Sequence, residues 1–320
     1  MPLIGHEPAW AEWRDAIAGG RMHHAWLLAG KRGLGKGIFA RDAAREMVAE
    51  PGVPQPEGMH PDVIVLSHPP RDEKEERKRE AGEPYERKRN IPVDSIRAMQ
   101  KRLTTRPTLG SRRVVIIDPS DDMEKGASNA LLKSLEEPPA GTFFMLVAHR
   151  PARLLPTIRS RCRTLRFAPI PDQAIDRLLM EEAPEADAAA RAAAVAAAGG
   201  SPGAAFGFLS QKLGVLDTLM QKIVAEGDAD FALRGQLAAA IGPRPDRDRM
   251  AATIELARAR VASMAPGAPR SAIPAVADAH ADLVNLAAQA PIYNFDPGLL
   301  AMQIGGLLAS VAPASERGNG

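Results

Sequence analysis

The sequence predicts an α/β domain built on a mostly parallel sheet with helices on both faces, followed by two helical domains. In the first half, short apolar runs alternate with helical patterns, which is typical of βα units. Beyond residue 168 only helical periodicity remains. The predicted boundaries are 1–168 for the α/β domain, 169–210 for a small helical domain, 211–312 for a larger all-helical domain and 313–320 for a flexible tail.

Five short apolar runs are the predicted strands of the first domain. Two of them, VVII and FFMLV, are apolar at every position, as expected for strands covered on both faces. Helical patterns separate the runs, and Pro138-Pro139 ends the helix that carries NALLKSLEE. The predicted strands are Ala25–Ala29, Val63–Leu66, Arg113–Ile117, Phe143–Val147 and Thr164–Phe167.

Composition limits the classes of function. The chain has 41 basic and 39 acidic residues, a net charge of +2, so it is not a polycation that coats nucleic acid. The single cysteine, Cys162, excludes an internal disulfide framework and suits a reducing cytosol. The first ten residues lack the pattern of a signal peptide, and no apolar run is long enough to span a membrane. A soluble cytoplasmic protein without membrane contacts is therefore expected.

A glycine-rich loop follows the first predicted strand. Residues 30–37 read GKRGLGKG and fit the phosphate-loop pattern G-x4-G-K, with Gly30, Gly33, Gly35 and Lys36 in place. In a working loop the lysine contacts phosphates and a following Ser or Thr hydroxyl holds Mg²⁺. Gly37 replaces that hydroxyl residue. The loop is thus either a degenerate nucleotide site or a turn that keeps its glycines for their backbone conformation.

Three signals farther along the chain occur in a fixed order and carry a family resemblance. A strand ends in VVIID at Asp118, a helix carries NALLKSLEEPP, and the strand FFMLVA leads to Ser160-Arg161-Cys162. This order resembles the ATPase core of the clamp-loader branch of the AAA+ proteins. The resemblance implies an AAA+ fold whose two helical domains are a lid and a collar. The collar would hold the chain in a ring of five subunits.

Compared with active members of that family, the nucleotide site lacks several groups. Pro119 stands where they usually carry a glutamate that polarises the attacking water, and proline offers no base. Ala148 and His149 stand where they usually carry a residue that senses the γ-phosphate. In the predicted lid, Ala204 and Ala205 offer no arginine to ATP. The resemblance therefore implies weak or absent binding of ATP and Mg²⁺, no required cofactor and no intrinsic ATPase activity.

The arginine-rich segment after the fourth predicted strand, by contrast, keeps the residues that the family usually carries there. Six arginines and no acidic residue lie between His149 and Phe167. In the family, the arginine of the Ser-Arg-Cys triplet enters a neighbouring subunit's ATP site, which implies that Arg161 is an arginine finger acting in trans. Two other interpretations stay open for this region: a basic face that is solvated or paired with the helix of Glu136 and Glu137, and contact with DNA phosphates.

A charged insertion, residues 69–90, interrupts the first domain. Its centre, RDEKEERKREAGEPYERKR, has almost no apolar residue, so a mobile loop or an exposed helical hairpin is expected. Many clamp-loader subunits carry a four-cysteine zinc module in this part of the chain, and no cysteine stands here. His60 and His68 leave a two-histidine site open, although His60 more simply precedes the next strand.

The resemblance implies a clamp-loader subunit that does not hydrolyse ATP itself and completes a neighbour's ATP site. Its expected partners are the other loader subunits and, through the complex, a sliding clamp and primed DNA. Two rival hypotheses are an active motor subunit of the same family and an unrelated P-loop enzyme such as a kinase. A stand-alone DNA-binding protein is disfavoured by the nearly neutral net charge.

Overall fold

The computed structural model of the chain describes residues 3–20, 22–290 and 295–313. The chain divides into two compact units, Met1–Pro169 and Ile170–Gly320. Residues 314–320 of the predicted tail lie outside the described residues. A separate lid at 169–210 and collar at 211–312 stay a prediction.

The first unit contains five strands and six α-helices among its described residues. Apolar strands alternate with helices, and the alternation follows the predicted βα pattern. In chain order the elements are α1 Glu7–Ala18, β1 Ala25–Ala29, α2 Lys36–Val48, β2 Val63–Leu66, α3 Glu73–Glu80, α4 Val93–Leu103, β3 Arg113–Ile117, α5 Lys125–Glu136, β4 Thr142–Ala148, α6 Pro156–Arg159 and β5 Arg163–Arg166.

The strands form one parallel sheet in the order β2-β3-β4-β1-β5. The predicted α/β fold with a parallel sheet is confirmed. Two strand boundaries differ from the prediction. β4 is longer by one residue at each end, because Thr142 pairs with Arg113 and Ala148 pairs with Ala29. β5 begins and ends one residue earlier, in register with β1 from Trp26 to Ala29.

Helices cover both faces of the sheet. Successive strand residues point to opposite faces, and on one face Leu27, Val115 and Phe144 join a buried cluster with residues of α4, α5 and α6. On the other face the Trp26 ring lies against Trp13 of α1, with ring centroids 5.4 Å apart. β3 is buried at every position, whereas β2 and β5 at the two sides of the sheet have exposed residues such as Val65 and Arg163.

The charged insertion is folded. Asp72 caps α3 by accepting a hydrogen bond from the Glu75 backbone N–H at 3.0 Å. The segment then returns, and a bridge joins Pro70 to Arg87. The insertion is thus one helix followed by a non-helical return segment, and neither a mobile loop nor the expected exposed helical hairpin is found.

The second unit is entirely helical in its described residues. Prolines and glycines separate the helices, which are α7 Asp172–Glu182, α8 Ala188–Ala198, α9 Pro202–Ser210, α10 Gly214–Glu226, α11 Ala232–Ile241, α12 Arg247–Met264, α13 Ile273–Gln289 and α14 Pro297–Ala309. The predicted helical C-terminal region is confirmed. Among the described residues, no helix combines the length and the apolar character needed to cross a bilayer.

Candidate functional site

The glycine-rich loop lies at the carboxyl edge of the sheet, between β1 and α2. Gly33 and Gly35 adopt φ values of 81° and 82°, a left-handed conformation that glycine adopts without steric cost. At Gly30 an added Cβ would lie 2.6 Å from the backbone oxygen of Phe167. The loop geometry therefore requires glycine at these three positions, whether or not the loop holds a phosphate.

Lys36 is turned into its own loop. Its side chain is only 2% exposed, and Nζ donates to the backbone oxygens of Gly30 at 2.7 Å and Lys31 at 2.5 Å. Burial lowers the pKa of Lys36 to about 8, against the opposing effect of the Asp118 and Asp121 carboxylates. The ammonium group that would contact phosphates in a working loop is thus occupied by loop carbonyls.

Gly37 and Asp118 are in direct proximity. A Cβ added at Gly37 would collide with Oδ2 of Asp118 and would lie 3.2 Å from Nη1 of Arg41. Burial raises the pKa of Asp118, and the positive charges of Arg41 and Lys36 oppose that shift. The Asp118 carboxylate therefore fills the space in which a Ser or Thr side chain would stand in a working loop.

Asp121 lies at the same edge of the sheet, in the turn after β3. Its carboxylate is almost fully buried and accepts hydrogen bonds from the backbone N–H groups of His149 and Arg150, both at 2.9 Å. The neighbouring Ser120 hydroxyl donates to the backbone oxygen of Val147 at 3.0 Å. These bonds fasten the turn after β3 to the end of β4. The sequence contains no motif that would have identified this role.

His149 takes no part in a polar contact through Nδ1, which is buried without a hydrogen-bond partner in the described structure. Burial lowers the pKa of His149 to about 4, and the positive charge of Lys36 acts in the same direction. The imidazole is therefore neutral at physiological pH.

The two histidines considered for metal binding serve separate local roles. Nδ1 of His60 accepts a hydrogen bond from the Asp62 backbone N–H at 3.1 Å. Nε2 of His68 lies 3.3 Å from the Asp122 carboxylate. The part of the chain that the structure describes contains no group of three or more His, Cys, Asp or Glu side chains suited to a metal ion.

Arg161 lies at the opposite edge of the sheet from the glycine-rich loop. β1 and β5 are parallel, and Arg163 at the start of β5 is in register with Trp26, near the start of β1. Ser160-Arg161-Cys162 therefore precedes the amino edge, whereas Gly30 follows the carboxyl edge. At about 3.3 Å per residue, the strand alone separates the two by roughly 10 Å. Arg161 is therefore remote from the glycine-rich loop of its own chain.

The guanidinium of Arg161 is held by two contacts within the chain. Nη2 lies 2.7 Å from the Glu136 carboxylate at the end of α5, and Nη1 donates to the Thr157 backbone oxygen at 2.9 Å. The side chain stays about one third exposed. Next to it, burial raises the pKa of the Cys162 thiol to about 12, so this cysteine is not a nucleophile. The pairing with Glu136 matches the alternative interpretation from sequence, and it leaves three N–H donors of the guanidinium for another acceptor.

The other arginines of the segment differ in their surroundings. Arg150 and Arg153 lie 3.6 Å and 3.8 Å from the Asp122 carboxylate. Arg163 forms an ion pair with Glu12 at 2.8 Å. For Arg150, Arg153 and Arg163, an ion pair within the chain is the simplest reason for a basic residue at that position.

The fold and the loop together define a P-loop α/β domain with an altered nucleotide site. The chain belongs to the family described as DNA polymerase III, delta subunit, whose model matches residues 5–171. The match covers the whole α/β unit, including the glycine-rich loop and the Ser-Arg-Cys triplet.

Individual relatives agree with this assignment. The DNA polymerase III subunit delta' of Pseudomonas aeruginosa is 34% identical over 59% of this chain and 58% of its own length. The same subunit of Escherichia coli is 33% identical over 65% of this chain and 62% of its own length. The DNA polymerase III subunit gamma/tau of Mycobacterium bovis is 31% identical over 68% of this chain and 37% of its own length. The chain thus spans about three fifths of the two delta' subunits.

Proposed function

We propose that the chain is the delta' subunit of a bacterial DNA polymerase III clamp loader. In this role it joins gamma/tau and delta subunits in a five-membered ring that opens a sliding clamp and places it on primed DNA. The family match and the delta' relatives support this role. Polymerase activity belongs to another subunit of the holoenzyme.

The position of Arg161 carries the mechanistic part of the proposal. The residue lies across the sheet from its own glycine-rich loop and keeps its guanidinium one third exposed at the surface. An arginine supplied to a neighbour's nucleotide stabilises the charge that develops during phosphoryl transfer and contributes roughly 10³–10⁵ in rate. Arg161, flanked by Ser160 and Cys162, is the residue proposed to do this.

The chain's own loop is proposed to need neither ATP nor Mg²⁺. Three features support this: Lys36 bonds to loop carbonyls, Asp118 fills the space beside Gly37, and Pro119 offers no base. These residues do not fit a Mg²⁺-bound nucleotide. In this role the chain is a ring member whose own site does not bind and hydrolyse ATP, while the neighbouring subunits do.

Reconstitution with purified gamma/tau, delta and clamp tests the role. Gel filtration should show this chain in a complex with both subunits, and clamp loading on primed DNA should require its presence. A complex that forms and loads the clamp equally well without the chain would refute the proposal.

An active motor subunit is the second candidate, because the gamma/tau relative aligns over 68% of the chain and the loop keeps Lys36. It predicts ATP turnover by the isolated chain that disappears in Lys36→Ala. The delta' proposal predicts no turnover by either protein.

A further inference from the structure

The end of helix α5 lies beside Arg161 and is fixed to the sheet. Leu135, the last residue but one of α5, is buried and belongs to the same core cluster as Ile158 of α6. Nε2 of His24, which precedes β1, donates a hydrogen bond to the Leu135 backbone oxygen at 2.9 Å. These contacts hold the backbone that carries Glu136 at the amino edge of the sheet.

The turn that carries Arg161 is fixed to the same core. The Arg161 backbone N–H donates to the Ile158 oxygen at 3.1 Å, and the Cys162 N–H donates to the Arg159 oxygen at 3.3 Å. The Cys162 side chain packs against the core cluster, whereas the Arg161 side chain is one third exposed. Glu136 and Arg161 therefore meet at the ends of two segments whose backbones are both anchored.

Glu136 stands at a position where a helix disfavours an acidic residue. It is the last residue of α5, and the negative end of the helix dipole repels a carboxylate there. In the part of the chain that the structure describes, its one ion pair is with Arg161, whose Nη2 lies 2.7 Å from the carboxylate. A partly exposed ion pair contributes little to stability. Helix stability therefore does not explain this residue, and the orientation of Arg161 does.

We propose that Glu136 is a positioning residue for Arg161, an inference that rests on the proposed role of Arg161 as an arginine finger. A free arginine side chain has many rotamers, and ordering it on contact with a phosphate weakens that contact. The ion pair with Glu136 and the hydrogen bond to the Thr157 oxygen hold the guanidinium at two points in advance. Because the Glu136 carboxylate is half exposed, solvent screens its repulsion of a phosphate.

The test compares Glu136→Ala with Glu137→Ala in the reconstituted loader, by ATP turnover stimulated by clamp and primed DNA. Glu137 is the matched control: it is the next residue, it is exposed, and it forms no ion pair with any described residue. Ordering one side chain in advance is worth roughly two- to tenfold, so Glu136→Ala should lower kcat by that factor. The KM for ATP and assembly should not change. Glu137→Ala should keep the wild-type kcat.

Three further measurements distinguish positioning from a structural role. The melting temperature of isolated Glu136→Ala should fall no more than that of Glu137→Ala, because each variant removes an acid from the same helix end. In an Arg161→Ala background, Glu136→Ala should have no further effect, since no arginine is left to position. Glu136→Asp keeps the charge on a shorter side chain and should lose less activity than Glu136→Ala.

The outcomes separate this inference from the proposed function. An unchanged or raised kcat in Glu136→Ala, while Arg161→Ala slows the loader, overturns the inference and leaves the proposed function intact. A raised KM with unchanged kcat, a loss of assembly, or an equal fall in the Arg161→Ala background also overturns it, since Glu136 then does not act through Arg161. An unchanged rate with Arg161→Ala would instead count against the proposed finger.

Discussion

At Gly37 the absence of one side chain changes what the loop can hold. The Asp118 carboxylate occupies the adjacent space, and Arg41 lies on its other side. Restoring a hydroxyl therefore requires Asp118 to move, and it does not restore the missing base at Pro119. In the proposed role, the loss of ATP hydrolysis is distributed over several residues of this site rather than caused by one.

The variant Gly37→Ser tests that view. A serine should crowd Asp118 and lower the melting temperature, although a glycine replaced within a helix usually gains about 0.5–1 kcal/mol. The isolated variant should still hydrolyse no ATP. Gly207→Ser, at a helical position with open space around it, is the control and should not be destabilised. ATP turnover by Gly37→Ser would contradict the account.

His149 predicts a pH effect on stability. Its folded pKa is lowered to about 4 by burial, below the ordinary value of 6.5. Between these values the unfolded chain binds a proton that the folded chain does not, so stability falls as pH drops from about 6.5 to 4. In His149→Asn this part of the loss, about 2 kcal/mol between pH 7 and pH 5, should disappear. Urea unfolding at pH 7 and pH 5 measures it, and an equal loss in both proteins would refute the assignment.

At the scale of elements, hydrogen bonds join the turn after β3 to the residues that follow β4. Asp121 accepts two backbone hydrogen bonds from the segment that begins at His149 and runs towards Arg161. We expect this contact to hold the start of that segment in place. A rigid segment suits a subunit that has to present one arginine in a fixed position.

Removing the Asp121 carboxylate should cost stability. Asp121→Ala leaves two partly buried N–H groups without their charged acceptor, so the free energy of unfolding should fall by about 2–3 kcal/mol in urea titrations. Asp94→Ala removes a carboxylate that is mostly exposed and paired only with Arg97, and it should change stability by less than about 0.5 kcal/mol. Similar losses in the two variants would argue against the role of Asp121.

Elements were predictable from sequence wherever the apolar pattern is strong. β1, β2 and β3 have the predicted bounds, because their apolar runs stop where the sheet stops. β4 and β5 are shifted by one residue, since pairing with neighbouring strands fixes those ends. The fold of the insertion was not predictable from sequence. It depends on ion pairs and on the backbone hydrogen bond from the Lys88 N–H to the Pro69 oxygen, and not on apolar periodicity.

For the candidate site, the sequence predicted which residues form the site, but it did not predict the contacts that those residues make. The glycines of the loop, Lys36 and Asp118 do lie together at one edge of the sheet. That Lys36 bonds to its own loop, and that Asp121 fastens the loop after β4, are consequences of tertiary structure. No local pattern at either residue predicts them.

At the scale of the molecule, the two edges of the sheet have different proposed tasks. The carboxyl edge carries a glycine-rich loop closed by its own side chains, and the amino edge carries Arg161. In the proposed role, a chain arranged in this way does not need to hydrolyse ATP itself. Its contribution to catalysis, in the proposed role, depends entirely on the subunit beside it.

The most direct test is the ATPase rate of the reconstituted loader, stimulated by clamp and primed DNA, with Arg161→Ala against wild type. Arg159→Ala is the control, because it removes an exposed arginine two residues away. We predict that Arg161→Ala slows turnover at the neighbour's site by roughly 10³ or more and leaves assembly intact, while the control keeps the wild-type rate. An unchanged rate with Arg161→Ala in an intact ring would contradict the proposed finger.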